Sequence, residues 1–181
     1  RKTFIMSELI DLQKAGFSLV LGGQRSGKSA YAESVIEQAG GGFYVATSEP
    51  LDDEMTARIG AHQARRGDQW QTVEEPILLA QTLLALNGHG KPALVDCLTL
   101  WLSNLMALDK NIAAEIDSLC AAREQLDFPV VFVSNEVGQG IIPDNALARQ
   151  FIDYAGLMNQ KIAAVSASVV FVTAGIPQKI K

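Results

Sequence analysis

The sequence predicts a single α/β domain, a mostly parallel sheet with helices on both faces. Short apolar runs alternate along the chain with helical stretches, the pattern of strands joined by crossover helices. The runs are continuously apolar rather than alternating, as in strands covered on both sides. The length of 181 residues suits one domain, and 48% hydrophobic against 19% charged residues supplies a core rather than a disordered chain. No repeat, low-complexity tract or long linker divides it.

The elements follow in order. Phe17 to Leu21 reads as a buried strand. A Gly-rich turn leads into a helix from about Gly27 to Ala39, ended by Gly40-Gly41-Gly42. Phe43 to Ala46 is the next strand, and Met55 to about Arg65 a helix. Trp70 to Val73 reads as a short strand, Pro76 to Leu86 as a helix and Asn87-Gly88-His89-Gly90 as a turn. Ala93 to Asp96 is a strand, two helices fill Leu98 to Leu126, and Pro129 to Ser134 is a strand. Asn145 to Val165 is a helix and Ser168 to Thr173 the last strand. Ligands of such sheets bind at the carboxyl ends of the strands. The polar motifs fall there.

Fifteen Lys+Arg against twenty Asp+Glu give a net charge of -5, which argues against a generic nucleic-acid binder. No apolar run is long enough for a membrane span, and Arg1-Lys2-Thr3 leads into a short mixed segment unlike a secretory signal. Cys97 and Cys120 lie on separate apolar segments, form no metal-ligand pair, and read as buried thiols of a cytoplasmic protein.

Gly22-Gly23-Gln24-Arg25-Ser26-Gly27-Lys28-Ser29 fits the phosphate-loop pattern G-x-x-x-x-G-K-[ST], with an apolar strand before it and a helix after it. The glycines let backbone N–H groups wrap phosphate oxygens at a helix N-terminus. Lys28 is expected on the β- and γ-phosphates, Ser29 on Mg²⁺, and Arg25 adds a cation at the tip. Asp96, ending its strand, is a second candidate for Mg²⁺; the alternatives are an acceptor for a nucleobase amino group or a cap on the Leu98 helix.

Asp52 to Arg66 carries the other constellation. Met55, Ile59 and His62 share a helical face, and Arg58, Arg65 and Arg66 lie three or four residues from His62. Neighbouring cations favour neutral imidazole, the nucleophilic form. The plainer alternative is a solvent-facing charged helix. His89 has no such company and reads as structural.

Further segments join these: Ala46-Thr47-Ser48, Asp53-Glu54-Met55, Ser134-Asn135-Glu136-Val137-Gly138, Gly140-Ile141-Ile142-Pro143, Arg149, Asp153, Gly156, Asn159-Gln160 and Gly175-Ile176-Pro177. Together, from about Phe17 to Lys181, the chain resembles the bifunctional adenosylcobinamide kinase / adenosylcobinamide-phosphate guanylyltransferase family of cobalamin biosynthesis. The resemblance implies a P-loop NTPase fold of the RecA-like branch and a homotrimer. It implies two reactions, with ATP or GTP and Mg²⁺. The γ-phosphoryl group passes to the aminopropanol hydroxyl of adenosylcobinamide. GMP then passes from GTP to adenosylcobinamide phosphate through a covalent histidine, here His62, giving adenosylcobinamide-GDP and pyrophosphate. It implies nucleotide contacts from Gln63, Ala64, Arg65 and Arg66. Thr47, Ser48 and Glu49 follow a strand end at the same rim; Glu74, at another, is a candidate for ribose or base, and Asp96 for guanine as well as metal.

Two positions depart from the family pattern: Arg65-Arg66-Gly67-Asp68 lacks a proline expected after the arginine, and Ile152 stands where arginine is usual. Residues 1–16 lie outside the resemblance as an N-terminal extension, with 17–181 the nucleotide-binding and transferase domain. Ile5, Leu9 and Leu12 have loose helical spacing, which fits either an added helix or a disordered arm. Asn135 to Gly140 fits either a substrate-positioning strand end or simple turn chemistry. Trp101, Leu105 and Leu108 read as core or subunit interface, and Asn159 and Gln160 as candidates for a subunit contact. Competing functions are a monofunctional guanylyltransferase, a small-metabolite kinase that needs Lys28 but not His62, and a non-catalytic nucleotide-binding module.

Overall fold

The structure, a computed structural model, describes residues 9–48 and 67–181. Seven strands form one sheet in the order β3-β2-β4-β5-β1-β6-β7. They are β1 (Gly16–Gly22), β2 (Gly42–Ala46), β3 (Trp70–Glu74), β4 (Ala93–Asp96), β5 (Pro129–Asn135), β6 (Ser166–Thr173) and β7 (Ile176–Lys179). The first six are mutually parallel; β7 runs antiparallel along β6. The described helices are α1 (Lys28–Gln38), α2 (Leu79–Ala85), α3 (Leu98–Ala107), α4 (Ile112–Ala122) and α5 (Ala146–Val165). The helix expected over Met55 to Arg65, with His62, lies outside the described residues.

Both faces of the sheet are covered. Phe17, Leu19, Leu21, Val95 and Phe132 pack with α2, α3, α4 and α5 on one side. Val20, Tyr44, Leu94, Val133 and Val172 pack with α1 on the other. The strands therefore carry apolar side chains on both faces, which is why the runs are continuous rather than alternating. Ile10 is buried against the α1 face with Leu9 and Leu12 beside it, so the described end of the extension packs on the domain without forming a helix.

Local chemistry sets the boundaries. Pro76 delays α2 until Leu79, and the Glu75 carboxylate accepts from the Ile77 and Leu78 N–H groups at 2.8 and 2.6 Å. Asn111 and Asn145 cap α4 and α5 with side-chain oxygens. Ser168 to Thr173 is not the last strand: β7 follows it and was not expected. Trp101 and Leu105 are core, whereas Leu108 is 58% exposed. Asn159 is buried within the chain: its side-chain oxygen accepts from Ser134 Oγ at 2.7 Å and its amide nitrogen donates to the Asn135 carbonyl. A role for Asn159 between subunits is thereby corrected. Cys97 is buried and Cys120 only half-buried. His89 stands edge-on to Phe43, consistent with a structural residue.

Candidate active site

The parallel register brings the polar strand ends to one edge. Glu74 lies beside Ala46, Ala46 beside Asp96, and Gly22 beside Asn135. The phosphate loop leaves β1 here, flanked by β5 and β6. Gly27, at φ 95°, is the N-cap of α1, with no side-chain cap and no acidic residue in the first turn. The first N–H groups of α1 thus lack both helical acceptors and a competing carboxylate. Arg25 takes a left-handed φ of 56° at the loop tip. At Gly22 a Cβ would meet the Ser26 hydroxyl and lie 2.6 Å from the Val172 carbonyl, so the tight turn admits no side chain. Ser26 Oγ is shielded from solvent and has no hydrogen-bond partner, an orphaned donor inside the loop.

Lys28 is buried, and its ammonium folds back to donate to the Gly23 carbonyl at 3.2 Å. Burial pushes its pKa down; Cys97 and Asp96 nearby oppose that shift. Ser29 Oγ faces Asp96 Oδ1 at 3.5 Å, too long for a strong hydrogen bond. Tyr44 Oη donates to the other Asp96 oxygen at 2.8 Å. The Asp96 carboxylate does not cap α3, whose N-cap is Cys97 with no side-chain bond. That alternative is excluded. A hydroxyl and a carboxylate that face each other beside a phosphate loop are a fitting pair of hard oxygen donors for Mg²⁺. No group of three or more His, Cys, Asp or Glu side chains placed to hold a metal occurs among the described residues.

Thr47 is bonded within the chain. It is fully buried; its hydroxyl donates to the Cys97 carbonyl at 2.7 Å and accepts from the Cys97 N–H at 2.9 Å. Its carbonyl accepts from Asn104 Nδ2 at 2.7 Å. It ties the ends of β2 and β4 together, which places Asp96. Ser48 is half-buried at the same end, and Glu74 is exposed at the end of β3. Gln24 and Arg25 are exposed. Glu49, His62, Gln63, Ala64, Arg65 and Arg66 lie outside the described residues.

Three contributors were missed in the sequence. Tyr44 orients Asp96, and its position two residues before the end of β2 was the available signal. Cys97 follows Asp96 and sits near Lys28; burial pushes its thiol up to about 11, with Asp96 adding to the shift. Gly175, in the β6–β7 turn, donates its N–H to the Ser26 carbonyl at 2.8 Å and braces the phosphate loop.

Comparison with known proteins decides the family. The profile described as "Cobinamide kinase / cobinamide phosphate guanyltransferase" matches residues 18–180. The chain belongs to that family. Its members therefore include this P-loop transferase, an enzyme of the kinase and nucleotidyltransferase type. It is similar to the bifunctional adenosylcobalamin biosynthesis protein CobP of Pseudomonas aeruginosa, 42% identical over 166 residues, covering 90% of this chain and 96% of that one. It is equally similar to the bifunctional adenosylcobalamin biosynthesis protein CobU of Escherichia coli, 42% identical over 178 residues, covering 90% and 98%. Among solved structures, a prototypical ATPase from the type III secretion system of pathogenic bacteria aligns with a TM-score of 0.60 at 9% identity. That alignment covers 93% of this chain and 54% of the ATPase, a likeness of fold alone. No described helix of this family member is long and apolar enough to cross a membrane.

Proposed function

We propose that this enzyme phosphorylates the aminopropanol hydroxyl of adenosylcobinamide with ATP or GTP and then transfers GMP from GTP to the phosphate product. The observation that carries the reading is the phosphate loop at the end of β1, with Lys28 folded across it and Ser29 facing Asp96 beside it. Membership of the family and the names of its relatives agree.

In this reading the loop N–H groups, the Ser26 hydroxyl and Lys28 hold the triphosphate, and Arg25 adds charge at the mouth. Ser29 and Asp96 would hold Mg²⁺, which would neutralise charge on the phosphate oxygens. Tyr44 and Thr47 set the Asp96 carboxylate. For the second reaction, neutral imidazole of His62 attacks the α-phosphorus of GTP and pyrophosphate leaves; the substrate phosphate then takes GMP from the histidine. Thr47, Ser48, Glu49, Glu74, Gln63, Ala64, Arg65 and Arg66 are the proposed nucleotide rim, and the working unit is a homotrimer.

The test is product analysis. With γ-labelled nucleotide and adenosylcobinamide, label should move to the corrinoid. With GTP and adenosylcobinamide phosphate, pyrophosphate and adenosylcobinamide-GDP should appear together. Nucleotide binding without either product would leave a binding module. Light scattering that returned a single copy would remove the trimer.

A further inference from the structure

The phosphate loop faces a groove of about 540 Å³ whose other wall is the segment after β5. Gly23, Arg25, Ser26, Glu136, Val137 and Thr173 are among its lining residues. Glu136 is the only carboxylate among the described residues that line it. Its backbone N–H donates to the Gly22 carbonyl at 3.0 Å, fixing it to the first residue of the phosphate loop. One side-chain oxygen, Oε1, accepts from the Gly138 N–H at 2.8 Å. The other has no hydrogen bond or ion pair among the described residues. The carboxylate is therefore oriented and half available.

Among the described residues, the remaining acidic groups at this edge are engaged or distant. Asp96 is bonded by Tyr44 and faces Ser29. Glu75 is held by the lead-in to α2. Glu74 ends β3, with four strands between it and β6 in the sheet order. Asp153 lines a separate cavity of about 280 Å³ that shares Val137 and Gly140 with the groove.

We infer that Glu136 is the catalytic base of the phosphorylation half-reaction, an inference that rests on the kinase reading above. The alcohol O–H bond breaks and its proton passes to the free Glu136 oxygen. The alcohol oxygen forms a bond to the γ-phosphorus while the bond from that phosphorus to the β–γ bridging oxygen breaks, and the nucleoside diphosphate leaves with that electron pair. The guanylyl half-reaction has no such need, because a phosphate monoester near neutral pH already offers an anionic oxygen. Glu136 should thus matter to one reaction and not to the other.

The experiment is Glu136→Gln in the full chain, assayed separately with adenosylcobinamide and with adenosylcobinamide phosphate. Glutamine keeps an oxygen to accept from Gly138 but cannot take the proton. Phosphorylation should fall about 10²-fold or more, the scale of a positioned base. Guanylylation of the supplied phosphate should stay within about twofold of the parent. Phosphorylation at the parental rate, or equal loss of both activities, would overturn the inference. If the parent itself phosphorylates no corrinoid, the kinase reading fails instead. Should Glu136→Gln not fold, Glu136→Asp decides by the same split: a selective loss of phosphorylation supports the role and a parallel loss refutes it.

Discussion

At the scale of single residues, the site is built around one buried cation. Lys28 gives up solvation to lie across the phosphate loop, and burial lowers its pKa against the pull of Cys97 and Asp96. The sign for stability follows. The unfolded chain holds the Lys28 proton more tightly than the folded chain, so this residue's contribution rises with pH as pH climbs from its folded pKa towards its usual value of 10.5. Replacing the ammonium with an apolar stem of similar length should relieve the burial of charge. Lys28→Met should therefore melt no lower than the parent without nucleotide; a gain of about 1 kcal/mol would raise the midpoint by about 2–4 °C. Both activities and the nucleotide-induced rise in melting temperature should be lost. A clear fall in the ligand-free melting temperature, or a full nucleotide shift in the variant, would show that Lys28 is a structural residue.

At the scale of elements, hydrogen bonds between strand ends and helices hold the catalytic edge in register. Asn159 on α5 reaches under the sheet to Ser134 Oγ and the Asn135 carbonyl, just before Glu136. Asn104 on α3 reaches both the Thr47 and Pro76 carbonyls. These amides donate to backbone carbonyls at the strand ends. Asn159→Ala should leave the Ser134 hydroxyl without its acceptor and cost about 1–3 kcal/mol in chemical denaturation. An unchanged denaturation midpoint would contradict the anchoring role. The turn joining β6 to β7 acts likewise: a Cβ at Gly27 would lie 3.2 Å from Gly175 Cα, so hairpin and phosphate loop pack backbone to backbone.

At the scale of the whole molecule, most of the sheet was legible because its central strands are apolar on both faces, and α4 and α5 begin at Asn caps. β4 came out at its observed bounds, and β1, β2, β3, β5 and α5 within one residue at each end. β7 was not legible. Ile176-Pro177-Gln178-Lys179 is largely exposed and contains a proline, which demotes a run from strand to turn; the edge position explains why proline is tolerated. The phosphate loop and Asp96 were readable from local pattern. The staple at Thr47 was not legible, because a strand-end hydroxyl reads the same whether or not it ties two strands together. Tyr44 acts on Asp96 from 52 positions away, Asn104 on Thr47 from 57 and Gly175 on Ser26 from 149; such contacts cannot be seen in local spacing and appear only once strand order is fixed.

The proposed guanylyl transfer turns on a covalent histidine, His62. The parent and His62→Ala should be incubated with Mg²⁺ and α-labelled GTP, then denatured and scored for protein-bound label. The account predicts acid-labile, base-stable label on the parent and none on the variant, as a phosphoramidate requires. Equal label on both proteins, or none on a parent that binds GTP, would contradict it.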